Sequence, residues 1–275
     1  MDYISLDIAC SEEQSEILTA FLADYPFESF DAEAGTLRAF IPADRLAECR
    51  EEVDALLRDR GVTGRYVPIE TQNWNAVWES DFPQVEVDGR LIVRAPFHAP
   101  APEGVLEVVL TPRMSFGTGH HATTWLMSRA VLDLHVAGRR GLDLGSGTGV
   151  LAIVAAKCGA EHVDAVDVDD WADASCRENI VANDVAERVE PILGDVRSVA
   201  GRCYDFILAN INRNILLAAL PACAAALVAG GDLLMSGFLA EDVPILVEAA
   251  AAHGLEHVAT DSRDGWMMVR LKKRS

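Results

Sequence analysis

The sequence predicts an α/β fold: a mostly parallel sheet flanked by helices, preceded by a small α+β domain. Three observations carry this. Residues 140–157, RGLDLGSGTGVLAIVAAK, read as a short apolar strand, a glycine loop and a helix. From residue 105 onward, short apolar runs alternate with helical segments, the pattern of βα units with right-handed crossovers. Residues 1–69 instead read βαββαβ, the order of a ferredoxin-like unit.

Taken in order, Tyr3–Ile8 alternates as a strand, and Ser11 with Gln14 forms a capping box for a helix reaching Ala23. Phe27–Ala32 and Thr36–Ile41 are paired strands around Gly35. Pro42 stops the second, an amphipathic helix runs from Asp44 to Arg58, and Gly61 ends it before a strand at Gly64–Ile69. This segment holds no catalytic cluster, so residues 1–69 are expected to present substrate. Residues 70–100 form a linker, with Trp74, Trp78 and Phe82 as one packing stripe and a hairpin turning at Asp88–Gly89. Residues 101–275 are the main domain. A strand at Val105–Leu110 and a helix from Thr123, capped by Thr123 or Thr124, precede strands at 141–144, 162–168, 188–193, 204–209 and 231–236. Helices at 150–157, 170–183, 212–228 and 240–253 separate them, and strands at 255–260 and 266–271 close the chain as an antiparallel pair.

The 275 residues are half hydrophobic, enough for one ample core and a smaller one. No apolar run is long enough for a membrane span and no secretory leader is evident, so a cytoplasmic protein is expected. Six scattered cysteines without a C-x-x-C pair read as buried free thiols rather than a metal site. The net charge is −20, which repels a phosphate backbone and argues against a nucleic-acid substrate. It suits a basic protein partner. Adaptation to high salt is the competing reading, since the chain has only three lysines, Lys157, Lys272 and Lys273.

The chemistry concentrates where the parallel strands end. Gly145, Gly147 and Gly149 let the backbone turn sharply and approach a ligand. Asp143, two residues ahead, would repel a pyrophosphate but suits a cationic ligand. This favours S-adenosylmethionine, which has an ammonium, a sulfonium and no phosphate, over a dinucleotide seated on G-x-G-x-x-G. Asp167 ends the next strand, where a carboxylate fits a ribose diol. Asp195 follows the third strand and can accept an adenine amino group or cap the next turn. The nearby Asp164, Asp169 and Asp170 read as solvated or capping. Asn210 ends the fourth strand and can accept from an amine, or simply form a turn. His120 and His121 have no third partner in sight, so no metal is expected.

These motifs together resemble the ribosomal protein L11 methyltransferases, which are class I S-adenosylmethionine-dependent enzymes. The resemblance spans nearly the whole chain: Asn73–Trp78, Phe116–Thr124, Asp143–Gly149, Val166–Asp169 and Ala209–Ile211 match in turn. The chain departs at His120, at Ala122 and at Asn212-Arg213-Asn214. The resemblance implies a Rossmann-like seven-stranded sheet with a ferredoxin-like N-terminal domain, and cofactor contacts at Thr124, Gly145, Asp167 and Asn210. It also implies methyl transfer to lysine side chains and the N-terminal amine of a large-subunit ribosomal protein. Methylation of another basic protein or of a small amine, or cofactor binding without catalysis, are the alternatives.

Overall fold

The computed structural model describes residues 3–33, 35–68, 83–111 and 120–275. The Trp74–Trp78–Phe82 stripe and the Asn73–Trp78 motif lie outside these residues, as does Phe116–Gly119. The chain divides into two compact units, Met1–Asp81 and Phe82–Ser275.

The first unit runs β1 (Tyr3–Ala9), α1 (Glu12–Leu22), β2 (Ser29–Glu33), β3 (Thr36–Pro42), α2 (Ala43–Asp59) and β4 (Gly64–Pro68). Its sheet has the order β2-β3-β1-β4, and every neighbouring pair is antiparallel. The expected capping box forms: Gln14 N–H donates to Ser11 Oγ, and Ser11 N–H to Gln14 Oε1. Leu46, Cys49, Val53 and Leu57 recur at helical spacing on α2 and are buried. They pack with Leu6, Ile8, Leu37 and Ile41 of the sheet into one core. Each such fully buried aliphatic side chain contributes about 1.5–3 kcal/mol.

The second unit opens with β5 (Val85–Val87) and β6 (Leu91–Arg94), a hairpin turning on Asp88 and Gly89, both with positive φ. The hairpin expected in the linker therefore groups with the large unit. Its β6 pairs in parallel with β7 (Leu106–Val109), making a separate three-stranded sheet. Then come α3 (Ala122–Asp133), β8 (Arg140–Leu144), α4 (Val150–Lys157), β9 (His162–Asp167), α5 (Asp170–Ala182) and β10 (Val189–Leu193). They are followed by β11 (Tyr204–Asn210), α6 (Arg213–Ala226), β12 (Leu227–Leu239), α7 (Val243–Ala251), β13 (Leu255–Arg263) and β14 (Trp266–Lys273). The seven-stranded sheet has the order β10-β9-β8-β11-β12-β14-β13, parallel up to β12 and antiparallel beyond it.

Period-two alternation builds a core on each face. Phe206 and Leu208 of β11 face the layer with α3, α4 and α5, while Ile207 and Ala209 face α6 and α7. Helix α4 is buried from Val150 through Ala156, which explains its uniformly apolar sequence. Strand order reverses between β8 and β11, so the carboxyl ends of these two strands flank the crevice in which such sheets bind ligands. Among the described residues no helix is long and apolar enough to cross a membrane.

Two local readings are corrected. Asp164 is not solvated: it is fully buried and accepts hydrogen bonds from Tyr204, Arg202 and His162. The cysteines are unpaired as expected, but Cys203 is exposed and Cys10 and Cys158 are only half-buried.

Candidate functional site

The glycine loop turns on three residues with positive φ, Gly145 (+73°), Gly147 (+54°) and Gly149 (+79°). At Gly145 a Cβ would lie 2.2 Å from Ile211 Cγ2, so the end of β11 demands glycine there before any ligand does. Four anchors hold the loop. The N–H groups of Gly145 and Ser146 donate to the Val166 carbonyl at 2.8 and 3.1 Å. Asn179, buried on α5, donates from Nδ2 to the Thr148 carbonyl at 3.0 Å and accepts from Thr111 N–H. From below, Asp143 Oδ2 accepts from Ala152 N–H at 3.0 Å, in the first turn of α4. Its Cap residue is Gly149, which has no side chain to do this.

Asp143 Oδ1 is buried without a hydrogen-bond partner. Burial pushes this carboxyl up to about 7, against the pull of the Ala152 N–H; the nearby Asp167 charge adds to the rise. Fixing Asp167 from the other side, Gly147 N–H donates to its Oδ2 at 2.8 Å and Asp169 N–H to its Oδ1 at 3.0 Å. Each oxygen of a carboxylate has a second acceptor position.

Above these residues lies a cavity of about 910 Å³ along the carboxyl ends of the strands. Thr124, Gly145, Gly147, Asp167, Asp195 and Asn210 all line it, so six of the seven residues singled out from the sequence come together. Asp143 does not line it; its place is under the loop, holding the start of α4. Asp195 caps the 3-10 turn Val196–Val199 and grips Arg197 through both carboxylate oxygens at 2.6–3.1 Å. That pair holds its carboxyl below the ordinary range. Across the cavity, Asn210 Nδ2 donates to Thr124 Oγ1 at 3.5 Å.

The helix cap differs from the expectation. Thr123 and Thr124 sit inside the first turn of α3, and the N-cap is His121, whose Nδ1 accepts from Thr123 N–H. An imidazole nitrogen replaces the usual oxygen acceptor, which is why the residue types did not reveal it. Sequence reasoning also passed over Gly237 and Trp266, both in the lining. Gly237 (φ +100°) sits at an irregularity between β12 and β14, and a Cβ there would fall 2.4 Å from the Ile211 carbonyl oxygen. Trp266 opens an antiparallel strand. The first residue of such a strand lies at the same edge as the last residues of the parallel ones, a signal available from topology alone.

The cavity fits a nucleoside bearing a cation better than a dinucleotide. Among the described lining residues the arginine is Arg197, already committed to Asp195, so no unpaired guanidinium or ammonium awaits a pyrophosphate. The volume falls in the range of small-molecule sites.

Comparison with known proteins decides the family. The family model for ribosomal protein L11 methyltransferase (PrmA) matches residues 5–274. The chain belongs to that family. A ribosomal protein L11 methyltransferase of Porphyromonas gingivalis is 41% identical over 94% of this chain and 91% of its own length. One from Chlorobaculum parvum is 33% identical over 100% of this chain and 98% of its own. The fold is shared with the crystal structure of a ribosomal protein L11 methylase from Lactobacillus delbrueckii subsp. bulgaricus, with a TM-score of 0.65 at 24% identity, covering 70% of this chain and 99% of that one. In this member of the L11 methyltransferase family the described glycine loop and strand ends meet around one cavity.

Proposed function

We propose that this enzyme transfers methyl groups from S-adenosylmethionine to amino groups, lysine side chains and the N-terminal amine, of ribosomal protein L11. The observation that carries this reading is the cavity itself: nucleoside-sized, lined by the Asp167 carboxylate, with its arginine neutralised by Asp195. When bound, the cofactor supplies an electrophilic methyl on a sulfonium; the acceptor nitrogen's lone pair forms the N–C bond while the C–S bond breaks with its electrons on sulfur.

The chain's own residues then have distinct tasks. Asp167, already oriented by two backbone N–H groups, takes the ribose hydroxyls on its remaining acceptor positions. Asp195 accepts from the adenine amino group in exchange for part of its grip on the exposed Arg197 side chain. Gly145 and Gly147 leave room for the amino-acid end of the cofactor. Asn210, with its Nδ2 turned to Thr124, has a carboxamide oxygen free to accept from the incoming amine and aim the lone pair. The amine must arrive neutral, and removal from water favours that form. No strong base is required, and alignment supplies most of the acceleration.

Residues 1–69 recognise the protein substrate in this reading. They form a complete βαββαβ unit, while the proposed cofactor contacts begin at Thr124. Acidic residues there outnumber basic ones fifteen to six, which favours a basic partner. The enzyme works in the cytoplasm on a ribosomal protein, with neither nucleic acid nor membrane as partner.

The test is transfer of a labelled methyl from S-adenosylmethionine to large-subunit proteins purified from cells lacking the endogenous modification. Label is expected in L11. Label confined to another protein overturns the substrate, and label in none overturns the activity.

A further inference from the structure

The Asn210 end of the cavity has an aromatic wall. Trp266, half-buried, lines the cavity and packs against the core that contains α3 and α4. The His121 ring meets the Trp266 ring edge-to-face, with centroids 4.7 Å apart at 67°. His121 is itself fixed, because its Nδ1 accepts from Thr123 N–H and lies 2.7 Å from Thr123 Oγ1. The indole is therefore braced on one side by a ring that helix α3 holds in place.

A backbone N–H can only donate, so His121 Nδ1 is the acceptor and the ring carries its proton on Nε2. The remaining described lining residues at this end, Thr123, Thr124, Asn210, Ile211, Asn212 and Gly237, include no carboxylate. Among these described residues a cation has no opposite charge to pair with. Trp266 lines the same cavity, and the negative face of an indole attracts ammonium groups, most of all weakly hydrated alkylated ones.

We propose that Trp266, braced by His121, is the binding wall for the alkylated ammonium of the acceptor, so that partly methylated amines are retained for further methylation. This rests on the methyltransferase reading above. The chemistry of successive transfers supports it. Each added methyl removes an N–H, so the grip of an acceptor such as Asn210 weakens from step to step. Affinity for an aromatic face changes the other way, as the cation becomes larger and less hydrated. Between transfers the ammonium gives its proton to water, freeing the lone pair; after the third methyl no proton remains and the cation is permanent. One polar group and one aromatic wall thus cover the whole series, which neither covers alone.

The test uses the full chain. Calorimetry would compare an acetylated, amidated Nε-trimethyllysine with its neutral isostere, in which carbon replaces the quaternary nitrogen. The wild type should prefer the cation by roughly 3- to 30-fold. Trp266→Phe should keep part of that preference and Trp266→Leu should lose it, with S-adenosylmethionine affinity retained by both. With limiting enzyme, mass spectra of methylated substrate should show Trp266→Leu accumulating monomethylated amines where the wild type proceeds further. A wild type without preference for the cation, or a Leu variant with the wild-type preference or product distribution, overturns the proposal. The wild-type comparison needs no variant to fold. A wild type that methylates no amine at all points instead to failure of the parent reading.

Discussion

Two buried aspartates on adjacent strands are treated in opposite ways. Asp164, on β9, accepts from the Tyr204 hydroxyl and, at 2.8 Å each, from Arg202 Nη1 and His162 Nε2. Burial works against its charge, but these hydrogen bonds win and hold its carboxyl below the usual range. Asp143, on β8, has one backbone N–H and one oxygen with nothing, and its carboxyl is pushed up to about 7. Asp232, also buried, is likewise partnered: Arg139 and Arg270 donate to it at 2.8–3.1 Å. The contrast between Asp164 and Asp143 lies in their partners and not in their place, since the two are one register position apart, Asp164 opposite Leu142 and Asp143 opposite Ala165. Asp164 gathers side chains from neighbouring segments and ties the sheet together, whereas Asp143 holds the start of α4 under the glycine loop through a single backbone N–H.

Removing Asp164 should have the largest effect. Asp164→Ala leaves the Tyr204 hydroxyl without its acceptor and the Arg202 guanidinium with Glu190 alone, and should cost about 3 kcal/mol in urea unfolding while cofactor affinity stays within about twofold. Lost affinity with unchanged stability would break the comparison. Next comes Asn210→Ala, expected to lower the transfer rate about 100-fold, the scale for one well-placed polar group, and to change cofactor affinity much less. Single-turnover rates decide it: if saturating cofactor restores the wild-type rate, Asn210 serves cofactor binding alone. Asp167→Ala should weaken S-adenosylmethionine binding by about 1.5–3 kcal/mol. Unchanged affinity in a folded variant would remove the ribose assignment.

The sharpest test of the comparison concerns pH. The Asp143 carboxyl rises from its ordinary 3.8 to about 7 on folding. Between those values the native state holds a proton that the unfolded chain has released, so stability falls as pH rises through this window. Asp143→Asn keeps an acceptor for Ala152 N–H and removes the titration. Its melting temperature should exceed that of the wild type by about 5 °C at pH 8, with the gap closing toward pH 4. A gap independent of pH would mean that Asp143 is charged throughout.

Most of the fold was legible because its signals are local. The capping box at Ser11, the glycine loop, the Asp88–Gly89 turn and the apolar strand runs each lie within a few residues. The site was legible for the same reason: Asp167 and Asn210 end strands, Gly145 and Asp195 follow within two residues of one, and parallel strands end together. What escaped depends on distant partners. Asp164 looks like Asp167 and Asp169 in HVDAVDVDD, and only Arg202 and Tyr204, 38 and 40 residues on, make it a buried network. Asn179 reads as an ordinary helix residue until Thr148 and Thr111 are seen on either side of it. The parallel pairing of β6 with β7 joins a hairpin to a strand across an irregular, proline-rich stretch with no turn signal for it.

The central claim is that the carboxyl-end cavity selects a cationic, phosphate-free nucleoside. Calorimetric titration of the wild-type chain with S-adenosylmethionine and, separately, with NAD tests it most directly. The account predicts one S-adenosylmethionine bound per chain and no NAD binding at comparable concentration. Binding of NAD without binding of S-adenosylmethionine would contradict it.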